Sequence, residues 1–289
     1  MPRYFTEENA TEVVKSRHAD APDRLRQIMD SVVTHLHAVV REVEPTQDEW
    51  LAAIRFLTRT GQICDDQRQE FILLSDTLGV SMLLDAIHNR TGGVATESTV
   101  LGPFHVDGAP ALPRGGDLGD LGDDVPTVIE GRVAGPDGEP LAGATLDVWQ
   151  TDPSGVYDVQ RDGAFAHDWR GIVTTDDEGR FWFRTLRPKS YTIPDDGPVG
   201  QMLGSLGRHP WRPAHIHFIV RAEGYQPLTT HLFVAGDEYL ASDTVFGVKE
   251  ALIVEPVRVD DPSAHPALGQ TGPFDHMRYD FVLLKASTP

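Results

Sequence analysis

The sequence is poor in cysteine, in positive charge and in long apolar stretches. Cys64 is the single cysteine among 289 residues, which excludes an internal disulfide framework and a metal cluster held by several thiolates of one chain. Arginine and lysine number 25 against 44 aspartates and glutamates, a formal net charge of −19, so nucleic acid is not an expected partner. No uninterrupted apolar run approaches the ~18 residues that span a bilayer, and the first residues are polar. We therefore expect a cytoplasmic protein that does not span a membrane.

The first third of the chain has the periodicity of amphipathic helices. Apolar residues recur at intervals of three and four between residues 25 and 40, which predicts a helix with one apolar face. Thr46 and Glu49 have the spacing of a capping box and should open a second helix. Asp65 and Asp66 should open a third. This part of the chain is therefore predicted to be helical.

The periodicity changes after a segment rich in glycine, proline and aspartate. Residues 106–126 have the composition of a connector. From residue 127 onward the chain contains short β-forming runs that alternate with turn sequences. Many short strands without intervening helices favour an antiparallel sandwich over a parallel sheet. We expect an α+β protein with a helical domain at residues 1–105, the connector, and an antiparallel β-sandwich at residues 127–289.

Two histidines stand one residue apart in the β-forming run RPAHIHFIV. Side chains alternate along a strand, so His215 and His217 should project from the same face. Two imidazoles on one face are typical of a metal site, although the pair would also suit a polar sheet face. Tyr157 follows a strand and Tyr191 lies in a proline-rich segment. Each tyrosine alone would suit a half-buried ring with its hydroxyl at the surface.

Three segments resemble, in the same order, the iron-binding segments of the intradiol ring-cleavage dioxygenases: WQTDPSGVYD, RTLRPKSYTIP and RPAHIHF. The resemblance covers most of the chain and includes GPFHVDGAP and HLFVAGDEYLASDTVF. It implies an oxidoreductase with one ferric ion per subunit, held by Tyr157, Tyr191, His215 and His217. Two phenolates favour a trivalent ion. Such an ion is a Lewis acid that can bind both oxygens of an aromatic diol before dioxygen attacks the ring.

The resemblance also implies catalytic roles. Members of the family release the axial tyrosinate when the diol binds, so Tyr191 is expected to be both a ligand and a base, whereas Tyr157 stays bound. The family places its catalytic arginine at the position of Arg212. A guanidinium there would stabilise the substrate anion and the charge that develops during oxygen attack. The alternative for Arg212 is a surface salt bridge.

Two further positions bear on the choice of diol. We count His231 with the catalytic residues. At this position catechol-cleaving relatives carry glutamine, whereas the hydroxyquinol-cleaving members resemble this sequence. Asp76 aligns with an aspartate that would accept a hydrogen bond from the third ring hydroxyl. The expected substrate is therefore hydroxyquinol, with catechol or chlorocatechol as alternatives. A solvated strand residue remains the alternative for His231, and a helix-turn contact near Gly79 the alternative for Asp76.

The resemblance implies further substrate-binding residues, most of them apolar and also suited to a protein core: Leu73, Val100, Leu101, Gly102, Pro103, Phe104, Ile193, Pro194 and Val245. It also implies a homodimer formed through the N-terminal helices, in some relatives with a phospholipid held there. The alternative is that the apolar helical stripe packs only on the protein's own helices. A non-catalytic β-sandwich binding module is the alternative to an enzyme.

Overall fold

A computed structural model describes residues 4–65, 68–161 and 167–286. Packing divides the chain into two compact units, Met1–Arg59 and Thr60–Pro289. The domain bounds derived from the sequence, with a connector at residues 106–126, stay a prediction.

The first unit is helical. It contains α1 (Ala10–Lys15), α2 (Asp23–Val43) and most of α3 (Gln47–Gln62). The capping box of α3 is present, since the Glu49 amide donates to Thr46 Oγ1 at 3.2 Å and the Thr46 amide donates to Glu49 Oε2 at 2.8 Å. The apolar stripe of α2 is exposed within the chain, at Leu25, Ile28, Met29, Val32, Leu36, Val39, Val40 and Val43.

Among its described residues the second unit has three α-helices of its own, α4 (Glu70–Thr77), α5 (Val80–His88) and α6 (Pro198–Ser205), besides short 3₁₀ turns. The predicted third helix thus begins at Glu70, after Asp65. Asp66 lies outside the described residues. Within the described ranges, no single helix is long and apolar enough to cross a membrane; α4 and α5 meet that test only as a pair, which is bent by 75°.

The described residues of the second unit also form twelve strands. Their order is β10-β11-β1-β12 in one five-stranded sheet, with β4 also paired to β1, and β3-β2-β7-β8-β9 in the other; β5 pairs with β6. The bounds are β1 Thr127–Ala134, β2 Thr145–Trp149, β3 Arg170–Thr174, β4 Arg180–Thr185, β5 Tyr191–Thr192, β6 Trp211–Arg212, β7 His215–Arg221, β8 Leu228–Val234, β9 Ile253–Val254, β10 Val257–Val259, β11 Phe274–Arg278 and β12 Phe281–Val282.

The predicted α+β architecture is confirmed, but the sheets are mixed rather than purely antiparallel. Strand β1 runs parallel to β11 and β12, and β8 runs parallel to β9. Parallel pairing needs a long connection. The chain between β1 and β11 is long enough to provide one, and no local sequence pattern signals the pairing.

Alternation along β7 decides where the histidines lie. Ile216, Phe218 and Val220 belong to the main core cluster, which also contains β1 and β4 side chains such as Ile129 and Phe183. The side chains at 215, 217 and 219 project from the opposite face. The structure therefore places both histidines on the side of this sheet that faces away from the main core.

Candidate metal and active site

The two histidines of β7 are buried between neighbouring strands. His217 is paired in register with Trp149 on β2 and with His231 on β8. The Trp149 indole stacks on the His217 ring with centroids 4.6 Å apart and planes 15° apart. The His217 ring is therefore fixed by contacts on both sides.

Tyr157 lies in the loop that follows β2. Its amide donates to Gln160 Oε1 at 2.9 Å, and the Phe104 ring stacks on its own at 4.5 Å. The next residue, Asp158, forms a buried ion pair with Arg170, whose Nε donates to Asp158 Oδ2 at 2.7 Å. These contacts orient the loop so that the phenol points inward.

Tyr191 is positioned by a two-stranded ribbon. Strand β5 pairs with β6, and Tyr191 stands directly opposite Arg212. Three residues after Arg212, the chain enters β7 at His215. The RPAHIHF segment therefore supplies both the arginine and the histidines, and its pairing with β5 brings the second tyrosine to them.

The four predicted ligands converge. Tyr157 Oη lies 2.8 Å from His217 Nε2 and 3.3 Å from Tyr191 Oη. His215 Nε2 lies 3.2 Å from His217 Nε2. Ligands about 2.1 Å from one ion lie roughly 3.0–3.4 Å from each other in tetrahedral or octahedral geometry. The spacing of two phenol oxygens and two imidazole nitrogens therefore fits a single metal ion.

The protonation states also suit metal binding. Burial lowers the pKa of both His215 and His217 well below the usual value, so both imidazoles are neutral at pH 7. His215 Nδ1 lies 2.7 Å from the Pro213 carbonyl oxygen, which fixes the proton on Nδ1 and leaves Nε2 as a donor of electrons. Burial raises the pKa of the Tyr157 hydroxyl well above its usual value. A metal must therefore displace the Tyr157 proton when it binds.

Arg212 is buried beside these donors. Its Nη1 lies 3.4 Å from Tyr191 Oη and 3.3 Å from His215 Nε2, and its Nε donates to Asp243 Oδ1 at 3.1 Å. Burial alone would lower the pKa of the guanidinium, but the Asp243 carboxylate and the two tyrosines raise it above the usual value. Arg212 is thus a fixed positive charge, and the surface salt bridge considered as its alternative was wrong.

His231 belongs to the same group of rings. Its centroid lies 4.1 Å from that of His217 and 4.8 Å from that of His215. One nitrogen from each of the three histidines lies within 4.8 Å of the others. His231 is fully buried, so the alternative of a solvated strand residue was wrong. The structure places its ring beside those of His215 and His217.

Two clefts adjoin the buried donors. The first, of about 780 Å³, is lined by Leu73, Asp76, Pro103, Phe104 and Pro194 among others. The second, of about 700 Å³, shares Asp76 and Pro103 and adds Val100, Leu101 and Gly102. None of the four donors lines either cleft. Phe104, which stacks on Tyr157, and Gly102, where an added Cβ would lie 3.2 Å from His217 Cε1, connect the clefts with the donors.

The other two predicted pocket residues lie in an apolar cluster. Ile193 and Val245 pack with Leu203, and Leu73 packs against this cluster from the first cleft. Ile193 and Val245 therefore lie behind Leu73, which lines the first cleft.

Asp76 is a buried carboxyl on the wall of both clefts. Burial raises the pKa of Asp76 above its usual value, although the Ser81 hydroxyl and the Arg212 charge act in the opposite direction. The carboxyl is therefore a buried polar group on the cleft wall with which a ligand hydroxyl can form a hydrogen bond.

Comparison with known proteins supports the same interpretation. A family model described as "Dioxygenase" matches residues 102–285, and one described as "Catechol dioxygenase N terminus" matches residues 22–96. The chain belongs to the intradiol ring-cleavage dioxygenases. Membership in this dioxygenase family makes the protein an oxidoreductase and implies an iron cofactor. The alternative of a non-catalytic binding module is not supported.

Individual relatives of this intradiol dioxygenase are similar over nearly the whole chain. A hydroxyquinol 1,2-dioxygenase from Rhizobium sp. is 50% identical over 98% of this chain and 97% of its own. A 6-chlorohydroxyquinol 1,2-dioxygenase from Cupriavidus pinatubonensis is 51% identical over 89% of this chain and 94% of its own. The solved structure of a hydroxyquinol 1,2-dioxygenase from Pseudomonas putida DLL-E4 superposes with a TM-score of 0.91 at 47% identity, and covers 97% of this chain and 99% of its own.

Sequence reasoning missed several residues that position the dioxygenase site. Trp149, Asp243 and the Asp158–Arg170 pair are distant in sequence from the histidines, and none belongs to a motif with metal-ligand spacing. Three of them lie in segments that carried the resemblance: Trp149 and Asp158 are the first and last residues of WQTDPSGVYD, and Asp243 lies in HLFVAGDEYLASDTVF. Arg170 lies in none of these segments.

Proposed function

We propose that this dioxygenase cleaves hydroxyquinol between its two adjacent hydroxylated carbons and inserts both atoms of dioxygen. The product is 3-hydroxy-cis,cis-muconate, the enol form of maleylacetate. The proposal is supported by the names of relatives at 47–51% identity and by the convergence of four donor atoms within 3.3 Å of their neighbours. That convergence is the observation on which the ring-cleavage reaction rests, and the choice of hydroxyquinol rests on the relatives and on Asp76.

We assign one ferric ion per subunit to Tyr157, Tyr191, His215 and His217. Two oxygen anions and two neutral imidazoles form a hard donor set that favours a trivalent ion. When bound, ferric iron supplies Lewis acidity that withdraws charge from the diol oxygens and promotes loss of their protons. All other contributions to binding and catalysis come from the side chains around the four donors.

The two tyrosines have different surroundings, and this supports different roles. Tyr157 is held by the Phe104 stack and by a loop anchored through Asp158. Tyr191 sits on a two-residue strand beside the Arg212 guanidinium. We assign Tyr191 as the base whose oxygen accepts a proton from the diol, and Tyr157 as the ligand that stays in place.

Arg212 would then stabilise negative charge on the substrate. Its guanidinium is held by Asp243 and has Nη1 next to the Tyr191 oxygen. A buried cation that does not have to reorganise stabilises charge more strongly than one in water. Its position suits both the diol anion and the oxyanion that forms during ring cleavage. The adjacent His231 supports the His217 ring and so shapes the same site.

Asp76 carries the proposed preference for a third hydroxyl. The substrate ring would lie between the apolar residues of the clefts, with its third hydroxyl bonded to the Asp76 carboxyl. Catechol lacks that hydroxyl and would leave the buried carboxyl with the Ser81 hydroxyl but without its substrate partner, at a cost of about 1–3 kcal/mol. A chlorinated catechol has the same disadvantage.

The substrate assignment is tested by comparing kcat/KM for hydroxyquinol, catechol and a chlorocatechol under identical conditions. We expect hydroxyquinol to be preferred over catechol by roughly 5- to 150-fold, the range that corresponds to the cost given above. If catechol is turned over efficiently and hydroxyquinol is not, the protein is a catechol dioxygenase that yields cis,cis-muconate.

We also propose that the protein is a homodimer formed through its N-terminal helices. The exposed apolar stripe of α2 supports an apolar partner surface, such as the same stripe of a second copy. We also propose that a phospholipid chain is held at that interface and that the protein is cytoplasmic. Light scattering after size exclusion, followed by mass spectrometry of an organic extract, tests the dimer and the lipid. A monomer at micromolar concentration would contradict the dimer.

A further inference from the structure

A second group of potential metal ligands lies on the opposite sheet. Glu130, His265 and His276, which we call the outer His–Glu cluster, each offer one ligand atom, and these atoms lie within 4.8 Å of one another. His276 Nε2 lies 2.9 Å from Glu130 Oε1. The rings of His265 and His276 have centroids 4.8 Å apart.

The sheet pairing separates this cluster from the iron-binding donors. Glu130 is on β1 and His276 on β11, in the sheet that packs across the main core from β7. Ile129 and Met277, the chain neighbours of Glu130 and His276, point into that core. By alternation, Glu130 and His276 project from the outer face. The main core therefore lies between the two groups.

His265 comes from a loop that is docked on this outer face. Leu268 of the same loop packs with Val128 and Phe274 in a separate apolar cluster. The His265 ring contacts Phe274 edge-on at 5.9 Å. Within the part of the chain that the structure describes, the His265 ring has no hydrogen-bond partner. It is thus a positioned imidazole with free nitrogen atoms.

We propose that the outer His–Glu cluster binds one divalent transition-metal ion, of which Zn²⁺ is the model case, and that this ion ties the loop to the sheet. Two imidazoles and one carboxylate are a common zinc donor set and leave a fourth position for water. The side chains of His276 and Glu130 are 13% and 24% exposed, so the ion has access from solvent. Their 2.9 Å separation already suits two ligands of one ion, and a modest rotation of the His265 side chain completes the set.

The charges around the cluster are mixed. Glu130 supplies one negative charge, and the cavity that it lines also contains four arginines, Arg114, Arg132, Arg180 and Arg278. Two of these charges are offset by Asp176, which lies 2.8 Å from Arg114 Nη1 and 2.9 Å from Arg180 Nε. Arg278, the register partner of Glu130, is on the same face, but its Nη2 lies 3.5 Å from Asp280 Oδ2. The Arg278 charge is therefore partly offset by its own carboxylate partner.

The experiment uses tag-free, iron-loaded protein titrated with ZnCl₂ in a calorimeter, with zinc and iron quantified after dialysis. The variants are His265→Gln and His276→Gln; His35→Gln, a change at an exposed histidine outside the cluster, is the matched control. We expect one zinc per chain in the wild type and in His35→Gln, with the iron content and the visible band unchanged. Each cluster variant should bind zinc at least about tenfold more weakly. Zinc should raise the unfolding temperature of the wild type but not that of His265→Gln.

Three results would overturn the proposal. The first is the absence of saturable zinc binding by the wild type. The second is wild-type zinc affinity in both cluster variants, and the third is zinc uptake that displaces an equal amount of iron. The wild-type titration is decisive even if a variant fails to fold, and neither cluster histidine contributes to the iron-binding donors.

Discussion

The buried pair of Asp158 and Arg170 offers the sharpest test of how the dioxygenase site is built. Their side chains are only 2% and 1% exposed, and Arg170 also donates to the carbonyl oxygen of Phe104 at 3.2 Å. The pair therefore holds two parts of the structure next to Tyr157 in place: the loop that carries Tyr157, and Phe104, whose ring stacks on Tyr157. In Asp158→Asn, Arg170 stays buried with an amide in place of its carboxylate partner.

The expected loss of stability is large. Breaking a buried ion pair by removing one partner costs about 3–5 kcal/mol. Asparagine keeps one acceptor oxygen, so we expect the lower end, about 3 kcal/mol, which is roughly a 150-fold change in the folding equilibrium. Because the change also loosens the loop that carries Tyr157, the variant should hold less iron than the wild type.

Urea unfolding of the metal-free protein measures the stability term without a contribution from metal binding. Asp260→Asn is the matched control, since the Arg258–Asp260 pair has side chains 44% and 85% exposed, and exposed pairs contribute under about 1 kcal/mol. A loss below about 1 kcal/mol for Asp158→Asn, together with full iron content, would refute the anchoring role of the pair.

Three further substitutions test the rest of the site. Asp243→Asn should lower kcat/KM for hydroxyquinol by about 100-fold with the iron content unchanged, because Arg212 loses its orienting partner; steady-state kinetics and metal analysis check this. Asp76→Ala should reduce the preference for hydroxyquinol over catechol about tenfold, measured as the ratio of the two kcat/KM values. Gly102→Ala should weaken the visible band and the iron content, because its Cβ would press on the facing imidazole, whereas Gly93→Ala, also at positive φ but with open space around it, should change neither.

Each of these predictions has a result that contradicts it. Equal activity in Asp243→Asn would mean that the guanidinium is held by its other contacts. An unchanged substrate ratio in Asp76→Ala would remove the carboxyl from substrate selection. Identical spectra for the two glycine variants would show that the close approach to the His217 ring has no consequence.

Local periodicity was enough to predict some elements from the sequence. Alternation placed His215 and His217 on one face, and the run LTTHLFV is β8 to the residue, Leu228–Val234. Helix α6 was missed because its sequence, PVGQMLGS, contains a proline and two glycines. The parallel partners of β1 were missed because local pattern specifies a strand but not its neighbour.

The site was predictable only in part for a related reason. The resemblance named the four donors and Arg212, but their spacing depends on contacts between residues far apart in sequence. Asp243 pairs with Arg212 across 31 positions, and Arg170 with Asp158 across 12. Long-range pairs of this kind leave no periodic signal, so the packing that holds the donors becomes visible only in the folded chain.

The central claim is that Tyr157, Tyr191, His215 and His217 hold one ferric ion to which the diol binds. Anaerobic titration of the purified protein with hydroxyquinol, followed by visible spectroscopy with iron analysis of the same sample, tests it most directly. We predict one iron per chain and a phenolate-to-iron charge-transfer band that shifts to saturation at one diol per iron and is altered in Tyr191→Phe. A colourless active protein, or a band that hydroxyquinol leaves unchanged, would contradict the claim.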